Sequence, residues 1–295
     1  MPQTHLVQLR AKDYVSFDGD LFPYQNWLPK KEIKTVIIGL HGISGASSDY
    51  IPLAVHSLKE RDDIAIYAPE TRGQGRDPIV ARRGHICDRQ EWFNDLYTFT
   101  ALVRKQHPKA RIIWCGESMG SLIALHAYAN FPDPNPPCDA LILASPIVGI
   151  RGDFPKWKEN AAKFAAALFP CARISLESLS GQKEVHVVRD VIHEEQVQQN
   201  DYNIERYTLR LLTTLGDMAQ KMPKASQSLR VPTLVLHGAK DVFTDPEKVF
   251  FFAKNLPPQT HPKFLEYPEC YHLLFHDHLR DEVIGDILKW VEELK

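Results

Sequence analysis

Arg111-Ile112-Ile113-Trp114-Cys115-Gly116-Glu117-Ser118-Met119-Gly120 is the stretch that decides the fold. Ile112 to Cys115 form a short apolar run, as in a strand covered on both faces, and Ser121 to Asn130 carries apolar residues at helical spacing. The spacing predicts a buried strand turning sharply into a helix, with Gly-x-Ser-x-Gly at the turn. Gly116 and Gly120 lack side chains where the helix closes on the strand, so Ser118 can occupy a strained, exposed position at the strand's carboxyl end. A nucleophile fits that place. The five-residue pattern arises by accident in about one chain of this length in ten, and a serine there can equally cap an ordinary helix. The surrounding chain decides between the two.

Working backwards, Thr35-Val36-Ile37-Ile38-Gly39-Leu40 and Ile64-Ala65-Ile66-Tyr67-Ala68-Pro69 read as buried parallel strands. The first ends in His41-Gly42-Ile43-Ser44-Gly45, a loop able to aim backbone N–H groups at a developing oxyanion. The amide of Ile43 is one candidate donor and that of Met119 the other, with His41 read as a brace for the loop. The second strand runs into Glu70-Thr71-Arg72-Gly73-Gln74-Gly75-Arg76-Asp77, whose glycines do not follow a dinucleotide-binding pattern. His5 to Ala11 and Leu21 to Trp27 suggest an antiparallel edge hairpin turning at Asp18-Gly19-Asp20. Asp88 to Gln106 reads as a helix with an Asp cap.

Working forwards, Ala140 to Pro146 is a further buried strand, and then the alternation breaks. From Val148 to Leu229 no such strand appears, while Lys156 to Phe169 and Ile204 to Lys221 have helical spacing. This predicts a core formed by residues 1–147 and 230–295, with 148–229 as a helical lid above the carboxyl edge of the sheet, where ligands of open α/β sheets bind. Strands resume at Val231 to Gly238 and Lys263 to Tyr267. Asp241 follows the first of these, and a carboxylate there suits the orientation of an imidazole. Asp245, before Pro246 and Glu247, reads as a helix cap. His272 follows the last strand, and a closing helix is expected over 278–295.

The composition sets limits. A chain of 295 residues with 44% hydrophobic and 24% charged residues has the make-up of a globular protein with a sizeable core. A net charge of −2 without a basic run argues against nucleic acid as a partner. No apolar run has signal-peptide or membrane-span character, so the expectation is a cytoplasmic protein. Cys87, Cys115, Cys138, Cys171 and Cys270 are irregularly spaced and read as reduced thiols, with Cys115 in the core.

Ser118, Asp241 and His272 thus occur in the order nucleophile, acid, base, each just past a predicted parallel strand. On these residues, on His41-Gly42, on Thr71-Arg72-Gly73-Gln74-Gly75 and on His237-Gly238, the chain resembles the α/β-hydrolases. Within them it is similar to the monoacylglycerol lipase and lysophospholipase group, which shares its pattern with serine aminopeptidases. The resemblance implies a mostly parallel central sheet flanked by helices with a helical lid, a Ser118–His272–Asp241 triad, an acyl-enzyme, no cofactor and no metal. It also implies a small ester substrate, monoacylglycerol-like or otherwise of medium chain. Three positions depart from the family turn: Glu70, Gln74 and Asp77 stand where Asp, His and Ser are usual.

Phe154, Trp157, Phe164, Leu168 and Phe169 of the lid, together with His41, are candidate substrate contacts. Apolar residues at helical spacing also serve packing, dimerisation or transient membrane-surface contact. A metal site from His272, His276 and Asp277 is conceivable but would leave Ser118 and Asp241 without a purpose. Aminopeptidase activity, which would use an acidic group among Glu177, Glu184, Asp190, Glu194 and Glu195, stays open, as do thioesterase activity and a non-catalytic binding scaffold.

Overall fold

The fold comes from a computed structural model that describes residues 6–149, 156–175, 200 and 202–294. Among them a nine-stranded sheet runs in the order β1-β2-β3-β5-β4-β6-β7-β10-β11. Its strands are β1 (Gln8–Leu9), β2 (Asp13–Val15), β3 (Leu21–Trp27), β4 (Thr35–Leu40), β5 (Ile64–Pro69), β6 (Arg111–Glu117), β7 (Ala140–Ala144), β10 (Thr233–Gly238) and β11 (Lys263–Tyr267). From β5 to β11 every pairing is parallel, and β1 to β3 form an antiparallel margin. A two-stranded sheet, β8 (Arg173–Ile174) with β9 (Tyr207–Thr208), lies apart.

The apolar runs put alternate residues on opposite faces of the sheet, and each face finds its own helices. Val36, Ile38, Ile112, Trp114, Leu141, Leu143 and Val235 share one core with α2 (Arg89–Gln106), α3 (Met119–Ala129), α5 (Leu209–Ser226) and α6 (Pro246–Lys254). Ile37, Ile113, Cys115, Ile142, Leu234 and Leu236 share the other with α1 (Ile51–Glu60) and α7 (Arg280–Glu293). Each such aliphatic side chain contributes about 1.5–3 kcal/mol by leaving water, which is why runs buried on both sides read as strands rather than as surface.

The amino-terminal hairpin has three strands instead of two. A turn in which Arg10 N–H donates to the Asp13 carbonyl (2.8 Å) separates β1 from β2, while Asp18-Gly19-Asp20 makes the expected turn with Gly19 at φ 90°. Asp88 caps α2 in a reciprocal box with Glu91, and Asp245 caps α6 by accepting from Glu247 N–H (3.1 Å). The closing helix begins at Arg280, so His276 and His278 precede it, and His278 Nδ1 instead donates to Asp277 (2.8 Å).

In segment 148–229, α4 (Lys156–Leu168) lies against α5. The helix expected from Ile204 starts at Leu209, because Tyr207–Thr208 pairs as a strand and Thr208 Oγ1 then caps Leu211 N–H (3.2 Å). It runs on to Ser226 because Met218, Ala219 and Met222 bury their side chains. Met218 O accepts from His126 Nε2 of α3 at 2.8 Å, so this helix is docked on the core. No helix among the described residues is long and apolar enough to cross a membrane.

Candidate active site

The register brings Leu40, Gly116, Leu143 and, one step on, Glu117, Ala144 and Leu236 level across the sheet. The residues immediately past these strand ends therefore meet at one edge. Ser118 takes φ 54° and ψ −116°, a sparsely populated conformation for a residue with a side chain. It is fixed there by its own N–H donating to the Ala144 carbonyl (3.0 Å). A methyl group on Gly120 would overlap the Leu40 carbonyl, and one on Gly116 would overlap the backbone of Gly120. Both glycines are thus required by the close approach of α3 to the sheet.

Ser118 Oγ–H donates to His272 Nε2 at 2.8 Å, and His272 Nδ1–H donates to Asp241 Oδ2 at 2.8 Å. A carboxylate only accepts, so this contact sets the tautomer that leaves Nε2 free to take a proton. All three residues are buried, whereas an exposed serine was expected; Gly42 closes over it, with room for a methyl only 3.8 Å from Ser118 Oγ. Burial works against the charged form of Asp241, but the charge and hydrogen bond of His272, the charge of His237 and the amide of Phe243 hold its carboxyl below the usual range. Phe243 N–H and Thr244 N–H donate to the other oxygen at 2.7 and 3.3 Å.

The loop after β4 sits beside the serine. Among the described residues the amides of Ile43 and Met119 donate to no backbone carbonyl, which leaves them available as a donor pair. His41 is buried with both ring nitrogens engaged: Nδ1–H donates to Gly42 O (2.9 Å) and Nε2 accepts from Thr71 N–H (3.1 Å). Its ring holds two loops together and presents no nitrogen to the serine. Phe169 is 64% exposed, as are Phe164 (68%) and Leu168 (57%) beside it. Phe154 and the acids Glu177, Glu184, Asp190, Glu194 and Glu195 lie outside the described residues, as does the side chain of Trp157 on α4.

The three departures from the family turn all become internal braces. Glu70 accepts from Ser47 N–H (3.1 Å) and Arg76 N–H (3.0 Å); Gln74 Oε1 accepts from Ser44 N–H (3.1 Å); Asp77 pairs with the Arg82 guanidinium (2.8 Å). Ser44 has φ 60°, and its hydroxyl contacts that of Tyr207, so the glycine-bearing loop is tied to segment 148–229 as well. Sequence reading missed Ser145, whose hydroxyl donates to the His272 carbonyl at 2.6 Å and steadies the imidazole's backbone. Its signal was a Ser-Pro pair just past β7.

A family model described as "Serine aminopeptidase, S33" matches residues 31–278. A monoacylglycerol lipase of Mycolicibacterium smegmatis is 25% identical over 283 residues, covering 94% of this chain and 95% of its own. A monoglyceride lipase of Rattus norvegicus is 26% identical over 285 residues, covering 94% and 88%. Among solved structures, a soluble variant of monoglyceride lipase from Saccharomyces cerevisiae, in complex with a substrate analog, superimposes with a TM-score of 0.81 at 20% identity over 100% of this chain and 98% of that one. The monoacylglycerol lipase of Paleococcus ferrophilus gives 0.77 at 18%, over 93% and 99%. With the elbow, the sheet order and the matched span in agreement, the chain belongs to the serine aminopeptidase S33 family of α/β-hydrolases.

Proposed function

We propose that this chain is a serine carboxylic ester hydrolase that works through an acyl-enzyme, with monoacylglycerol-like or other medium-chain esters as substrates. The observation that carries the reading is the relay from Ser118 through His272 to Asp241, with both hydrogen bonds at 2.8 Å. The likeness to lipases that cleave monoacylglycerols supports the substrate class.

In this reading Ser118 Oγ attacks the ester carbonyl carbon while His272 Nε2 takes its proton. The amides of Ile43 and Met119 stabilise the tetrahedral oxyanion, each being worth on the order of 3 kcal/mol in the barrier. Collapse breaks the bond to the alcohol oxygen, which leaves with the proton from His272. Water then attacks the Ser118 ester, with His272 as base, and the acid is released. Asp241 keeps the imidazole oriented and offsets its positive charge.

The exposed Phe164, Leu168 and Phe169 are assigned to transient contact with lipid aggregates that carry the substrate.

Hydrolysis of p-nitrophenyl esters from acetate to palmitate and of 1-monoacylglycerols, with Ser118→Ala alongside, tests the reading. Turnover that peaks at medium or long chains and disappears in the variant is expected. Turnover of an aminoacyl-anilide but of no ester would replace it with the peptidase reading.

A further inference from the structure

The triad leaves one buried acid beside the nucleophile unused. Glu117 ends β6, is 2% exposed, and extends from the same face of the strand as Ile113 and Cys115 into the core shared by Tyr50, Leu274 and Phe275. An apolar side chain would suit that face, and a carboxyl group costs desolvation there. Its partners lie on the loop that carries His272: Phe275 N–H donates to Glu117 Oε1 at 3.4 Å, and the Leu274 amide also faces the carboxyl. The far side of the same loop is held by Ser145 Oγ on the His272 carbonyl.

We propose that Glu117 is a positioning residue for ester cleavage: its carboxyl group fastens the loop 273–276 to the end of β6 and so fixes the His272 imidazole against Ser118 Oγ. The proposal rests on reading Ser118, His272 and Asp241 as the reacting triad. The bond runs from the residue preceding the nucleophile to the residues following the base, two positions that are 158 apart in sequence. It therefore couples the backbone just before Ser118 directly to the loop just after His272.

The carboxyl group is neutral near pH 7. Burial pushes the Glu117 carboxyl up to about 8, with the nearby charge of Asp49 adding to the effect and the two loop amides opposing it. Asp49, from the loop before α1, is itself raised to about 6 by burial, with His41, Glu70 and Arg76 around it. Tyr50 and Cys115, the other titratable groups packed on Glu117, are pushed well above their ordinary ranges by burial. Among these neighbours Glu117 is the group that ionises on the mildly alkaline side; the carboxylate then accepts from the Phe275 and Leu274 amides more strongly, so the tie to the loop persists through its titration.

The test compares wild type, Glu117→Gln and Glu117→Ala from pH 6 to 10. It measures kcat and KM on the best ester, the rate of Ser118 labelling by a fluorophosphonate, and thermal midpoints. Glu117→Gln, which keeps an acceptor for Phe275 N–H, should lose no more than about threefold in kcat across the range with KM constant. Glu117→Ala should lose at least tenfold in kcat and in labelling rate at every pH while KM stays within twofold. Variants that melt lower yet keep the wild-type kcat and labelling rate would show a purely structural residue and overturn the proposal. A wild type that is neither labelled nor active on any ester would overturn the triad reading, and the proposal with it.

Discussion

Ser118 and His272 stand 154 residues apart in the chain and 2.8 Å apart at Oγ and Nε2. The contact exists because β6 and β11 end at the same edge of one sheet, with β7 and β10 between them. Replacing Ser118 by Ala should lower turnover by a factor on the order of 10⁶ without changing the thermal midpoint. Ser118→Gly should be equally inactive but more stable by roughly 1 kcal/mol, because glycine adopts φ 54° without steric cost. Differential scanning calorimetry of the two variants checks the difference.

Asp241→Asn should lower kcat by a factor on the order of 10⁴, since an amide no longer dictates the His272 tautomer. The same carboxylate shapes acid stability. Its folded pKa lies below the ordinary carboxylate value of 3.8, so its contribution is fully present above that value and is lost as pH falls through the lower folded one. Urea midpoints measured from pH 6 down to pH 2 should fall in wild type and converge on those of Asp241→Asn at the acid end.

Gly42 and Gly120 should separate function from folding. A methyl on Gly42 meets Ser118 Cβ at 3.4 Å, ordinary contact distance, but fills space over the nucleophile. Gly42→Ala should keep its thermal midpoint within a few degrees and lose about tenfold or more in kcat. Gly120→Ala drives its Cβ into the Leu40 carbonyl and should cost more than about 3 kcal/mol, seen as loss of soluble, cooperatively melting protein.

Arg72→Met should destabilise the chain without touching the reacting groups. Arg72 is 2% exposed at its side chain and holds Asp95 through Nε (2.8 Å) and Nη2 (2.8 Å), as well as Asp18 (2.9 Å) and Asp20 (2.9 Å). Removing it leaves Asp95 buried without its counter-charge, at a cost of about 3–5 kcal/mol. Denaturant midpoints of Arg72→Met and of Arg72→Met with Asp95→Leu should show partial recovery in the double variant.

By itself the sequence determined which stretches are strands buried on both faces, that β6 turns into α3 at Ser118, and that Asp241 and His272 follow strands. Such features are encoded locally: apolar runs, glycines at a close approach and caps such as Asp88 and Asp245 act within a few residues. The tertiary structure alone decided the rest. That α5 begins only after Tyr207 pairs, that His41 bonds the amide of Thr71, and that Glu117 reaches the amide of Phe275 all depend on partners dozens to more than a hundred residues away. A side chain's type shows what it can bond to. Only the order and register of the strands fix which group lies within reach, because a hydrogen bond is a matter of ångströms and sequence spacing past one element carries no such scale.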